Sequence, residues 1–336
     1  MSDFAVYSGQ ERTLLTVTGR SPAQMLNGVL TGVMPSVPAE VEPGVLEGAF
    51  TYHTVLTPKG KIISDLQATL MGPEDGAGFL LDVPDAGRDA LLGHFAKFLP
   101  PRFAKVAMAS GDAGAAARSR ITVVGPKSAD VLSTLALGLR VDASWLREAA
   151  EGAWRCVGDP ERGLVVSRTA EVGPEAFHVH GPRDAVEALE GRLLSSGGVE
   201  GSVDSWHALR VEAGRPAFGV DMDDGTLPPE AGITDRAIDH AKGCYTGQEV
   251  IVRIRDRGHV NWELRRLDFG PEAAPAPGTE LTEPDSDRAV ARVRSVVYSP
   301  RVGGFLALAY VRRGVEDVHF EGRALPVPDG FPGPLG

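Results

Sequence analysis

The chain has 336 residues, 43% of them hydrophobic and 24% charged, and a formal net charge of −11. That length exceeds what one growing core sustains, which excludes a small single module and implies two or three packed domains. The negative balance opposes nonspecific attachment to nucleic acid or an anionic membrane, so neither is expected as a direct partner.

The start, Met1-Ser2-Asp3-Phe4, lacks a basic segment followed by an apolar run, and no stretch of about 18 apolar residues occurs, which reads as a cytoplasmic protein. Residues 12–18 have the β-branched content of a strand, ended by Gly19. Ser21 as N-cap and Pro22 as first helical residue open a helix with Met25, Leu26, Val29 and Leu30 on one face. Strands over 48–56 and 62–71 flank the turn Thr57-Pro58-Lys59-Gly60-Lys61. Its two lysines suit a carboxylate or phosphate, and equally a solvated hairpin tip. A strand at 79–83 leads into a helix over 84–98, with His94 packed on its apolar face beside Leu91, Phe95 and Phe98. The small, polar segment 110–119 reads as a crossover between domains. The strand, Pro, helix order then recurs at 121–137 and at 176–194. His178 and His180 alternate along the latter strand and share one face, where packing is favoured over metal ligation for want of a further ligand.

A helix over 203–212 ends near Gly214 and leaves Glu212 at its C-terminus, where the helix dipole disfavours a carboxylate without a donor or solvent. The loop 218–230 carries Asp221, Asp223 and Asp224 without the ligand spacing of a calcium loop, so no metal is expected there. In residues 242–249, Cys244, one of two cysteines with Cys156, stands beside Lys242. Thr246 and Glu249 form a capping-box pattern that opens a helix with Val250, Ile251 and Ile254 apolar and Gly258 as stop. A cysteine just outside a helix N-terminus and beside a cation is expected to favour thiolate, and a tight turn with an incidental cysteine is the competing reading. Arg253, Arg255, Arg257, Arg265 and Arg266 make the densest basic region, a landing strip for a polyanion or a cover for neighbouring acids. From His259 the chain reads all β, as a small barrel or sandwich, and the tail 331–336 is expected to fray.

Lys242-Gly243-Cys244-Tyr245-Thr246-Gly247-Gln248-Glu249 resembles the signature of the YgfZ-type folate-binding family. These are bacterial relatives of mitochondrial iron–sulfur assembly factors and, more distantly, of the glycine-cleavage T-protein. Leu56-Thr57-Pro58-Lys59-Gly60-Lys61-Ile62, Leu209-Arg210-Val211-Glu212-Ala213-Gly214 and Leu227-Pro228-Pro229-Glu230-Ala231-Gly232 extend the resemblance in order, while 110–200 carries no such motif. The resemblance implies an α+β, T-protein-like fold of intertwined domains around a central folate cavity over 1–257, crossing over near 110–120, then a C-terminal β-barrel over 258–330.

It also implies tetrahydrofolate or a derivative as cofactor. Glu212 would read the pterin through two parallel hydrogen bonds. Tyr245, Gln248, Glu249, Lys59 and Lys61 join it as expected cofactor-binding residues, the lysines toward a polyglutamate tail. Cys244, Lys242 and Asp65 are the expected catalytic residues. Cys244 would serve as thiolate nucleophile or transient cluster ligand, Lys242 as its activator, and Gln248 and Glu249 as its positioning shell. Where T-proteins carry an Asp-Asp pair, this chain reads Ile63-Ser64-Asp65-Leu66 and retains one acid, Asp65. No resident metal is expected. The implied function is a folate-binding accessory factor for iron–sulfur cluster assembly or repair, with client or carrier proteins as partners and indirect support of tRNA-modifying cluster enzymes. A folate-dependent aminomethyl or one-carbon transferase and a noncatalytic folate-sensing scaffold are the alternatives.

Overall fold

A computed structural model describes residues 3–9, 11–72, 78–111, 114, 117–135, 140–284 and 286–335. The long strand Val45–Leu56 joins the two halves of a twelve-stranded sheet. Its first part, Val45 to Ala49, pairs antiparallel with Ala153–Val157, and its second, Phe50 to Leu56, pairs with Ile62–Leu70. One half continues through Phe79–Pro84, Arg12–Thr18 and Lys105–Met108, and the other through Val165–Thr169, Ala176–Pro182, Arg118–Val124 and Ala5–Ser8. Ala5–Ser8 and Arg12–Thr18 are neighbours in sequence yet lie in opposite halves, so the chain threads both from its start.

Each half covers one sheet face with a helix that begins after a proline. Phe79–Pro84 runs into Asp85–Phe98 and Ala176–Pro182 into Arg183–Ser195, with Pro84 and Pro182 as N-caps. Proline suits that place because its extended ψ ends the strand and the helix makes no use of an N-cap N–H. Leu91 and Phe95 pack on Leu66, Leu81 and Val83, while Val186, Leu189 and Leu193 pack on Val123, Phe177 and Val179. Each such side chain contributes roughly 1.5–3 kcal/mol relative to exposure. Phe98, read as part of the apolar face, is instead exposed and stacks on His94 with ring centroids 4.5 Å apart. Of the segment read as a crossover, residues 112, 113, 115 and 116 lie outside the described residues, as do 136 and 137 of the helix that follows.

The C-terminal strands form a separate six-stranded sheet in the order Trp262–Gly270, Gly304–Arg312, Ala289–Ser299, Glu280–Thr282, Asp317–Phe320, Arg323–Pro326. Arg323 donates to the Phe269 carbonyl at 3.1 Å, which draws the two end strands together and curls the sheet. The helix Val203–Glu212 bridges the two sheets. Val211 enters the cluster of Leu264, Leu306 and Leu308, and Trp206 packs on Tyr7 of the first strand. The tail is docked rather than frayed. Leu335 N donates to the Glu212 carbonyl at 3.0 Å, Arg265 lies over the Phe331 ring, and Gly214 and Gly232 leave the room that Pro332 and Phe331 occupy. Two Glu-Ala-Gly turns therefore anchor the chain end, a pairing that no local reading of 331–336 could show.

Candidate functional site

Three of the four motifs of the sequence, 56–62, 227–232 and 242–249, converge. Gly247, at φ 86°, has no room for a side chain: a Cβ there would meet the Thr57 carbonyl at 2.6 Å and Leu56 Cβ at 3.0 Å. Gly60, at φ +74°, in turn abuts Val250 and Leu227. Ile62 N donates to the Thr226 carbonyl at 3.0 Å, and Lys61 lies 3.7 Å from Glu230, whose carboxylate also accepts from Leu227 N at 2.8 Å. Leu56, Ile62, Ala231, Ile233, Tyr245 and Ile251 form one buried cluster beneath this junction.

The helix Gln248–Arg257 starts later than the capping-box pattern implied. Gly247, not Thr246, is its N-cap, and no side chain caps it. Cys244 is exposed and lies four residues before Gln248. Lys242 donates to the Leu30 and Gly32 carbonyls at 2.7 and 3.0 Å, so its ammonium ties down a loop. Burial lowers its pKa to about 8, opposed only by Asp239. Tyr245 is buried, Gln248 half-buried, and Glu249 and Lys59 exposed.

The remaining catalytic candidate lies elsewhere. Asp65 is 5% exposed and lines a cavity of about 120 Å³ together with Tyr7, Arg12, Glu171, Trp206, Arg215 and Phe218. Tyr52 Oη donates to Asp65 Oδ2 at 2.6 Å, and Oδ1 is buried without a hydrogen-bond partner. Burial raises the Asp65 pKa, with Arg12 and Tyr52 opposing and Glu171 adding to the rise. Ser64, its neighbour, points the other way: it is fully buried against Gly87 and donates to the Asp65 carbonyl at 2.9 Å. Asp65, and not Ser64, thus lines the cavity.

Glu212, Tyr245, Gln248, Glu249, Lys59 and Lys61 do not line the Asp65 cavity. Glu212 lies in a neighbouring cleft between its helix and the C-terminal sheet, and its carboxylate accepts from Ser299 Oγ at 2.5 Å. The two spaces share Tyr7, His207, Arg210 and Val220 as walls. The donor that the C-terminal position of Glu212 called for is Ser299. The acidic loop is structural: Asp221 is fully buried and pairs with Arg210 at 2.6 Å, and Asp223 pairs with Arg294 at 3.0 Å. His178 and His180 do share a face, both buried. His178 Nδ1 lies 2.9 Å from Thr122 Oγ1, and burial brings the His180 pKa down to about 3. Among the basic residues, Arg265 pairs with Glu263 and Arg266 donates to the Glu212 carbonyl, while Arg253 and Arg257 are exposed.

Sequence reading missed Arg12, Glu171 and Arg215. Each stands alone in its own segment: Arg12 comes from a strand of the same half as Asp65, Glu171 from a loop of the other half, and Arg215 from the loop after Val203–Glu212.

Residues 10–242 match the family model described as the GCVT N-terminal domain. The chain belongs to this family. It is 27% identical over 321 residues to an aminomethyltransferase of Corynebacterium jeikeium (strain K411), covering 88% of this chain and 76% of that protein. Against an aminomethyltransferase of Rubrobacter xylanophilus, identity is 27% over 272 residues, covering 79% of this chain and 66% of that protein. The crystal structure of glycine cleavage system aminomethyltransferase T from Bartonella henselae superposes with a TM-score of 0.76 at 18% identity, over 97% of this chain and 84% of that one. The GCVT chain described above therefore has a T-protein-like α+β fold. Among its described residues, no helix is long and apolar enough to cross a membrane.

Proposed function

We propose that this GCVT-family protein binds tetrahydrofolate in the Asp65 cavity and acts there on a one-carbon unit. The observation that carries this reading is Asp65, which lines a cavity walled by Trp206 and Phe218 as well as by charge and whose Oδ1 is a buried carboxylate oxygen without a protein partner. A flat pterin suits such a wall, and its ring nitrogens and amino group suit the polar atoms left over. Tetrahydrofolate supplies the nitrogens on which a one-carbon unit is carried. This chain supplies the acid, oriented by Tyr52, and the exclusion of water. The relatives named aminomethyltransferases support transfer as the reaction class.

Calorimetric titration of tetrahydrofolate into wild type, Asp65→Asn and Glu212→Ala tests the site. Loss of binding in Glu212→Ala alone assigns pterin recognition to the cleft beside Ser299, and loss in Asp65→Asn alone assigns it to the cavity. No binding to wild type removes the folate reading. Formation of methylene-tetrahydrofolate from candidate aminomethyl donors then separates a transferase from a noncatalytic folate-sensing scaffold.

A second reading has its own observation. Cys244 is exposed in a segment that packs on two other motifs, 56–62 and 227–232, which supports a YgfZ-type role in iron–sulfur cluster assembly or repair, with client proteins docking at the thiol. Full restoration of cluster-enzyme activity by Cys244→Ser in a deletion strain sinks it. Under either reading the folate region is assigned to 1–257 and the β-barrel to 258–330.

A further inference from the structure

The Asp65 cavity holds a second acid. Glu171, on the loop after Val165–Thr169, lines the same space, and its Oε2 is buried. Its Oε1 lies 3.6 Å from Arg12 Nη1, and Oε2 lies 3.3 Å from His178 Nε2. Arg12 is also bound to Asp82, through Nε to the carboxylate at 2.5 Å and through Nη2 to the carbonyl at 2.9 Å, and Asp82 is paired with Arg120 as well.

The other charged groups of the wall are similarly engaged. Arg210 pairs with Asp221 at 2.6 Å and donates to His207 Nδ1 at 2.9 Å, and Arg215 lies 3.5 Å from Glu151. Glu11 adds a further acid to the lining. Tyr52 donates to Asp65 Oδ2 at 2.6 Å, Oδ1 has no hydrogen-bond partner, and Arg12 acts on this carboxylate through space while bound to Asp82 and Glu171. Asp65 and Glu171 therefore share one cavity with the exposed Glu11, and Arg12, the cation that acts on Asp65, is paired with Glu171 and Asp82.

We propose that Glu171 is a positioning residue of this site: by holding Arg12 away from Asp65, it leaves Asp65 as a hydrogen-bond donor to the ligand. Tyr52 fixes Oδ2 as the acceptor, so the proton sits on Oδ1 and points into the cavity. The two environments pull the acids apart in the manner of a divided acid pair. Burial would raise Glu171, but Arg12, His178 and Arg120 outweigh it and hold it well below the usual carboxylate range, whereas Asp65 moves up. A neutral carboxyl can meet a ring nitrogen or carbonyl that an ionised one would repel. The pair titrates as a unit, and the last proton lost is the one on Asp65.

This proposal rests on the folate reading only for the identity of the ligand, and its first test needs none. Carbon-13 NMR of aspartate-labelled protein, with the Asp65 signal assigned by its loss in Asp65→Asn, follows the carboxyl through pH. Wild type should titrate above the ordinary aspartate value of about 3.9. Glu171→Gln should bring the midpoint down by about one unit or more, and Glu171→Asp should retain most of the wild-type value. An ordinary midpoint in wild type, which requires no variant to fold, overturns the proposal, and so does an unchanged midpoint in folded Glu171→Gln. Tetrahydrofolate titrated calorimetrically on either side of the wild-type midpoint should bind more weakly on the alkaline side, and Glu171→Gln should weaken binding near that midpoint. Equal affinity on both sides counts against the donor role. Absence of any binding with the raised midpoint intact removes folate and leaves the acid pair.

Discussion

Residues 242–249 are contiguous, expose their thiol and are held by glycines, whereas the Asp65 cavity is assembled from residues as far apart as Tyr7 and Val220 and keeps its acid buried. In the first region the chemistry is local and the fold adds a rigid frame. In the second, the fold itself creates the chemistry, because Asp65 acquires its properties from a tyrosine one strand away and an acid from the opposite half. The first should tolerate change at its reactive atom and fail when its frame is touched. The second should be sensitive wherever a buried charge loses its partner.

The largest effect is expected where the cavity wall meets the C-terminal sheet. Arg210 is 3% exposed, pairs with Asp221 at 2.6 Å and donates to Ser295 Oγ at 2.7 Å. Arg210→Ala leaves Asp221 as a buried, unpaired carboxylate and should cost about 3–5 kcal/mol, read from the urea midpoint. A loss below about 1 kcal/mol would show that the wall does not depend on this pair.

Next is the frame of the thiol. Gly247→Ala places a Cβ 2.6 Å from the Thr57 carbonyl at a left-handed φ of 86°. The backbone penalty alone is about 1 kcal/mol, and the clash should bring the loss to roughly 1–3 kcal/mol. Since the atom struck belongs to the lysine turn, the same variant should change the protease sensitivity of residues 57–61. Unchanged cleavage there would mean that the two motifs touch without supporting one another.

These contrasts follow what a sequence can display. Gly60 and Gly247 are visible as glycines of turns, and their mutual packing is implied only by their lying in motifs of one family. The strand Val45–Leu56 was legible in most of its length from its alternating and β-branched residues, but not its role as the hinge of two sheet halves, which depends on pairing with Ala153–Val157 about a hundred residues on. Asp65 was legible because it sits in a motif. Arg12 and Glu171 were not, since a single charge in a strand or loop looks like any solvated charge until another half of the molecule covers it. The helix start at Gln248 was misplaced by one residue because the left-handed conformation of Gly247 overrode the Thr246–Glu249 pattern.

A smaller, graded effect should appear on acidification. His53 is fully buried, with Nδ1 accepting from Gly32 N at 3.0 Å and Nε2 2.7 Å from Thr51 Oγ1. Burial, with Lys242 nearby, takes its pKa from 6.5 to about 3. Between these values the unfolded chain binds the extra proton, so stability rises with pH across the window and is lost as pH falls from 6.5 toward 3. The slope from this residue should approach about 1.4 kcal/mol per pH unit. His53→Gln should flatten it in a series of urea titrations, and the same slope in the variant would assign the acid sensitivity to other groups. Protonation of Nδ1 displaces the Gly32 N–H, and Gly32 is also a carbonyl partner of Lys242. Acid should therefore loosen the thiol frame before the Asp65 cavity, whose acid is less costly to protonate.

The smallest expected effect is at the thiol itself. Cys244 is exposed, so Cys244→Ser should change stability by no more than about 0.5 kcal/mol. If it also leaves tetrahydrofolate affinity unchanged, the two regions are separate in function, and any activity lost in the variant belongs to the thiol alone. If affinity falls with stability intact, the motif reaches the ligand through Tyr245, Leu56 and Ile62, which share its buried cluster. Cavity and thiol would then be two ends of one site.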